Sequence, residues 1–356
     1  MSMQELWLLL PVLIVSGGIL AVMIQASIKR SHIAPQGICL VSLVLALAAL
    51  VYQYPTDMQT ITILFEYEPI GGFFSLLLLM VGISVALLQG PYMGANSKEV
   101  AEEFYLLLLL SCLGAMLLVM SRHVGSVILS IELMSLSMLA MLAYNRERKL
   151  ALEGAMKFLL LSGASTSVLL LGFALLYANS GQMMLVAMLQ APMGLMAKSG
   201  FVLVLAGLAF KLSLVPLHFW TPDVYQGAPV NSTLLLTSLS KAAVFALFIK
   251  LILHVPAEFE ADMVRMLSWM AIASMLLGNW LALQQQSLKR LMAYSAIAHM
   301  GYVLVAGVIA MGVDHSLVLE GVSYYLLAYL VASILIFAVL TLISNLDSQQ
   351  DLDELS

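Results

Sequence analysis

Charge is what this chain has least of. Only 10% of its 356 residues are Asp, Glu, Lys or Arg, against about 25% in a typical soluble domain. Cysteine is scarcer still. Cys39 and Cys112 each lie in an apolar run and read as small core residues, which excludes a disulfide scaffold and a thiolate metal site. There is no Gly-rich phosphate loop and no clustered His/Cys set. The chain therefore offers nothing of its own to hold nucleotide, flavin, haem or an iron–sulfur cluster. No basic tract or aromatic-interleaved basic patch occurs, which argues against nucleic acid as a partner. The start, Met1-Ser-Met-Gln-Glu-Leu-Trp7, has no positive region. The first apolar run thus reads as a retained transmembrane helix, not a cleaved signal.

What the chain has is apolar length. Hydrophobic residues make up 62% of it and the mean hydropathy is +1.02, a composition of polytopic membrane proteins embedded in lipid. A spanning helix needs about 20 mostly apolar residues. Eleven segments qualify, near 6–27, 36–53, 72–90, 104–120, 124–143, 154–177, 199–218, 230–254, 263–285, 288–311 and 317–344. The run 183–196 is too short and Pro-broken, and reads as an interfacial loop. The expected fold is an all-α polytopic membrane protein, with 1–356 as a single membrane domain. Loop cations set its orientation. Lys29, Arg30, Lys98, Arg146, Arg148, Lys149, Lys289 and Arg290 fall on one side; Arg122, Lys198, Lys250 and Arg265 fall on the other. The richer side is expected to be cytoplasmic, with the N-terminus outside and the acidic residues 345–356 opening a cytoplasmic loop.

The remaining charges lie inside apolar segments, where a lysine costs about 2.5–3.5 kcal/mol and marks a functional suspect. Lys211 is the sharpest case. It sits mid-segment, Pro216 breaks the helix five residues later, and His218 follows. Proline removes a backbone donor and clashes with the preceding turn. Broken helices at membrane depth occur beside cavities and in transporters. Lys241 is central in its segment, after Thr237, Ser238 and Ser240. Glu132 sits mid-segment in Ile-Glu-Leu-Met-Ser-Leu-Ser, as an ion-path acid or as helix–helix glue. Lys157 has Glu153 four residues before it, so an i,i+4 ion pair or snorkelling competes with a relay role. His218 and His299 titrate in the range of a relay, but a lone membrane histidine also serves as a hydrogen-bonded packing residue. The 24 methionines read as core and lipid-facing filler.

The run Phe210-Lys-Leu-Ser-Leu-Val-Pro-Leu-His-Phe-Trp-Thr-Pro-Asp-Val-Tyr-Gln-Gly-Ala-Pro229 closely resembles the antiporter-like membrane subunits of proton-pumping NADH:quinone oxidoreductase (respiratory complex I). Within them it resembles the N, or ND2, type. Supporting stretches are 103–107, 130–136, 152–158, 239–242 and Leu-Lys-Arg-Leu-Met-Ala-Tyr-Ser with His299-Met-Gly-Tyr302. The resemblance implies an antiporter-like inverted-repeat fold broken at 199–220. Its expected parts are N-terminal helices at 1–90, a first five-helix repeat at 104–254 and a partial second repeat at 263–344. It implies a proton relay through Glu132, Lys157, Lys211, His218, Lys241 and His299. It places FMN, iron–sulfur clusters and quinone in other subunits, with no cofactor in this chain. The implied partners are membrane lipid and the K- and M-type neighbours, in a bacterial inner membrane. An Mrp-type cation/proton antiporter subunit and a non-pumping structural subunit remain as alternatives. Ser137, Asn231 and Ser232 depart from the family pattern. So does length: the resemblance implies fourteen helices, and the second broken helix and the last helices have no counterpart here, so the chain reads as a fragment or a truncated form, or the missing part is supplied elsewhere.

Overall fold

The computed structural model describes residues 3–28, 33–55, 57–95, 101–145, 148–312 and 315–346. Eleven helices among them are long and apolar enough to cross a bilayer: α1 Leu10–Ile28, α2 Ile33–Tyr52, α3 Pro69–Gly90, α4 Glu102–Val119, α5 Val124–Leu142, α6 Lys149–Ser180, α7 Leu195–Leu212, α8 Val230–Ile252, α9 Ala257–Ala282, α10 Leu288–Met311 and α11 Val318–Ser344. The eleven expected segments and these helices correspond one to one. At about 1.5 Å per residue even the 18-residue α7 nearly matches a hydrocarbon core. The stretch 183–196 carries one extra turn, Leu185–Leu189, where a plain loop was expected. The loop cations Lys29, Arg30, Lys98 and Arg146, and the acidic run from Asp347 onward, lie outside the described residues.

Two compact units divide the chain. The first combines residues 1–147, 229–243 and 330–348; the second combines 148–228, 244–329 and 349–356. The first therefore holds α1–α5, the beginning of α8 and the end of α11. Between α2 and α3 a short hairpin, β1 Gln59–Thr60 with β2 Glu66–Tyr67, covers the α4–α5 turn. Arg122 donates to Thr60 Oγ1 (3.0 Å) and lies 3.6 Å from buried Glu66. His123 caps α5 by accepting the Gly125 N–H at its Nδ1, which answers one of the free amides of that helix start. The unusual Asn231 and Ser232 are buried and satisfied. Asn231 donates to Gln89 Oε1 (2.7 Å) and accepts from Thr341 (3.0 Å), and Ser232 donates to the Met141 carbonyl (2.9 Å). Interhelical polar contacts of this kind hold helices together where lipid supplies no hydrophobic drive. Cys39 and Cys112 are buried in α2 and α4.

The second unit is organised by α6 lying along α7. Gly172 and Gly200 face each other, so closely that a methyl on Gly172 would sit 2.7 Å from the Gly200 carbonyl oxygen. Ser165 donates to the Gly207 carbonyl at 2.9 Å, and small residues allow this approach. α6 ends on Gly181 at φ 66°, a left-handed cap that glycine adopts without Cβ strain.

Candidate functional site

α7 stops at Leu212, four residues before Pro216, where the break was expected, so Lys211 is not mid-helix. Lys211 occupies its last turn and is buried, 7% exposed, and its ammonium donates to Ser162 Oγ on α6 (3.2 Å). Ser213 then turns left-handed at φ 62°, and Val215–Pro216 is cis. Seven residues later the chain re-enters a helix, Trp220–Gly227. The irregular stretch is tied down at several points. Leu214 N–H reaches the Ala209 carbonyl (2.9 Å), Leu217 N–H reaches Leu214 (2.7 Å), and Trp220 Nε1 donates to the Phe210 carbonyl (3.1 Å) while stacking on the Phe210 ring. Val215 N–H donates to Ser274 Oγ of α9 at 2.9 Å, both groups buried. Ser274→Ala leaves that amide without its acceptor, at a cost of about 1–3 kcal/mol. The expected result is a lower melting temperature of the purified chain, and an unchanged melt would show that the amide finds another acceptor.

Around the break, Ser213 Oγ, His218 Nδ1 and Thr221 Oγ1 are buried without a hydrogen-bond partner among the described residues. Such a lining favours ordered water. On the other flank, Phe219, Leu217 and Trp220 line an apolar groove of about 300 Å³ with Leu161 and Val168 of α6. Its lining carries no titratable side chain.

Lys241 and Glu132 belong to the first unit. Lys241 is 1% exposed and follows a π-helical turn, Leu236–Ser240, a feature frequent at functional sites. Thr237, Ser238 and Ser240 of that turn are buried. Glu132 is half-buried on α5. Ser137, which departs from the family pattern, donates to the Leu133 carbonyl (2.7 Å), and α5 continues unbroken through it.

Lys157 sits among charges. Its ammonium lies 2.8 Å from Glu153 Oε1, the anticipated i,i+4 pair, and 2.7 Å from Asp223 Oδ2 in the short helix. The other Asp223 oxygen accepts from Arg290 Nη1 (2.9 Å), which also reaches Gln226 (3.0 Å), while Arg290 Nε meets Gln285 (3.1 Å). Burial pushes the Asp223 carboxyl up, but the hydrogen bonds and charges of Lys157 and Arg290 outweigh it and leave the group below its ordinary value. Lys289, expected as a loop cation, is instead buried and donates to the Ala228 carbonyl at 2.8 Å. There it caps the end of the short helix, where a cation is favoured. His299 Nδ1 lies 2.6 Å from Tyr325 Oη, with the Tyr329 and Tyr302 rings 5.0 and 6.0 Å away.

The second unit thus brings Lys157, Lys211, His218 and His299 into one compact body, and the first holds Glu132 and Lys241. Sequence reasoning missed Asp223, Tyr325 and Ser162. Asp223 was the most accessible of them, an acid in the first turn of a short helix, directly after Pro222.

Residues 121–356 match the family described as NADH:quinone oxidoreductase/Mrp antiporter, TM. A chain of respiratory complex I from Thermus thermophilus, solved with bound aureothin, is 31% identical. The match covers 93% of the present chain and 70% of that one, with a TM-score of 0.79. A chain of the archaeal membrane-bound sulfane sulfur reductase is 20% identical over 98% of this chain and 73% of its own (TM-score 0.86). A chain of the Mrp complex from a Dietzia species is 17% identical over 97% and 65% (TM-score 0.82). These last two likenesses establish the fold alone.

Proposed function

Because this chain belongs to the NADH:quinone oxidoreductase/Mrp antiporter transmembrane family, we propose that it is the N-type proton-translocating subunit of a proton-pumping NADH:quinone oxidoreductase. The observation that carries this reading is Lys211, a buried ammonium on the last turn of a helix that breaks into backbone lined by Ser213, His218 and Thr221. Buried lysines are costly in a membrane and are kept where charge must move.

In this reading Glu132, Lys211 and Lys241 are the charged groups of the relay, and each changes its charge as neighbouring subunits change theirs. A lysine that loses an interaction favouring its charged form gives up its proton. His299 carries it onward, with Tyr325 Oη 2.6 Å from its Nδ1. Lys157 sets the charge at the mouth of the path. NADH oxidation and quinone reduction belong to other subunits, which hold the FMN and iron–sulfur clusters. The chain is assigned to a bacterial inner membrane, N-terminus outside, between K- and M-type neighbours.

Purification of the tagged chain under mild detergent tests the assignment. The expected result is co-purification of a hydrophilic, iron–sulfur-bearing arm with NADH:quinone activity. A complex that exchanges sodium for protons and contains no redox arm would place the chain with the Mrp-type antiporters instead.

A further inference from the structure

We infer that Asp223 is a positioning residue for Lys157: its carboxylate, clamped between α6 and α10, fixes where the α6 lysine presents its charge. The inference rests on the proton-path reading above and adds to it a residue outside the buried relay.

Lys157 has two carboxylate partners, and they are not equivalent. Glu153 rides on the same helix one turn away and moves with the lysine. Asp223 belongs to a different element, the short helix after the break, so it alone ties the ammonium to the broken segment. Both oxygens of Asp223 are engaged, Oδ2 by Lys157 and Oδ1 by Arg290. A carboxylate held from two sides has little freedom to follow either cation, and charge-assisted bonds of this geometry are the strong ones.

The helix bearing Asp223 is itself fixed at both ends. Phe210 holds Trp220 at its start. At its finish Lys289 binds the Ala228 carbonyl and Arg290 binds Gln226. Its last residue, Gly227, lies against the backbone of α6, where any side chain would collide with the Leu150 carbonyl. The four charged groups Glu153, Lys157, Asp223 and Arg290 also balance, two of each sign. Isolated half-exposed ion pairs contribute little, but a network with geometry fixed by packing is the exception. Neutralising Asp223 leaves Lys157 with the one partner that cannot hold it in place.

The test uses the whole membrane complex containing this chain, in sealed vesicles, with proton flux measured per electron transferred and complex abundance measured alongside. Asp223→Asn is expected to lower flux through this chain about tenfold with normal abundance, a size typical of coupled neighbours. Asp223→Glu should restore flux to at least about a third of wild type, since it keeps the charge, which a merely structural carboxylate would not require. Lys157→Gln should match Asp223→Asn, and the double variant should fall no further, because the two act as a unit. Wild-type flux in Asp223→Asn overturns the inference; so does a double variant whose loss is the product of the single losses. If Asp223→Asn fails to accumulate, the cycle runs with Asp223→Glu. Its partial loss should vanish in a Lys157→Gln background, and an equal loss in both backgrounds overturns the inference. Lys211→Ala in the same vesicles reports on the reading beneath it: undiminished flux there would mean that this chain carries no protons, whatever Asp223 does.

Discussion

Lys211→Ala is expected to remove proton transfer through this chain, by at least about a hundredfold, as loss of a positioned proton-transfer group does. The argument begins with burial. The ammonium is 7% exposed and hydrogen-bonded to Ser162 from the final turn of α7. No side chain one helical turn away on α7 can replace it, since Leu208 and Gly207 are apolar. Alanine is the best helix former, so α7 should persist up to Ser213, and chain abundance should not change. The readout is the number of protons moved per electron in sealed vesicles, which should fall by the share this chain contributes while electron transfer continues. Unchanged stoichiometry would dismiss Lys211 as a charge carrier and leave only a costly buried cation.

Gly172→Leu is expected to have the largest effect on the fold itself. A Cβ at this position meets the Gly200 carbonyl, the Val204 amide and the Val204 side chain, each within 2.8 Å. Two of those three atoms are backbone and cannot rotate away. α6 and α7 must then separate, and the Ser165–Gly207 and Lys211–Ser162 hydrogen bonds separate with them. Overpacking in a fitted core costs about 1–3 kcal/mol before such secondary losses. The expected outcome is little or no folded chain in the membrane. Gly163 supplies the control on the same helix. No atom lies within 4 Å of a Cβ there, so Gly163→Leu should accumulate normally. Equal loss in both variants would show that the effect comes from α6 propensity and not from the α6–α7 seam.

The spans were legible because hydrocarbon imposes a length and a composition on each helix separately. The segment anticipated at 124–143 is Val124–Leu142, and that at 288–311 is Leu288–Met311. The break after Lys211 was legible for a similar reason: Pro216 acts locally. Partners were not legible. Lys157 meets Asp223 across 66 positions of chain, and Arg290 meets it across 67. No periodicity connects residues so far apart. Lys289 misled for a related reason. Its place beside Arg290 at a helix start reads as a loop cation, yet the end of another helix supplies a carbonyl that draws it inside. Glu153 and Lys157 were readable as a pair because four residues is one helical turn.

The widened turn Leu236–Ser240 has a consequence for how this helix tolerates change in length. A π-helical turn accommodates one residue more than an α-helical turn would, without altering the faces of its flanks. Removing one residue from it should restore an unbroken α-helix, with Val230–Leu235 and Lys241–Ile252 still presenting the same sides. A single deletion within Val230–Leu235 would instead turn everything after it by about 100° and swing Lys241 away from its setting. Among natural variants of this chain, a one-residue gap in α8 should therefore fall within this turn.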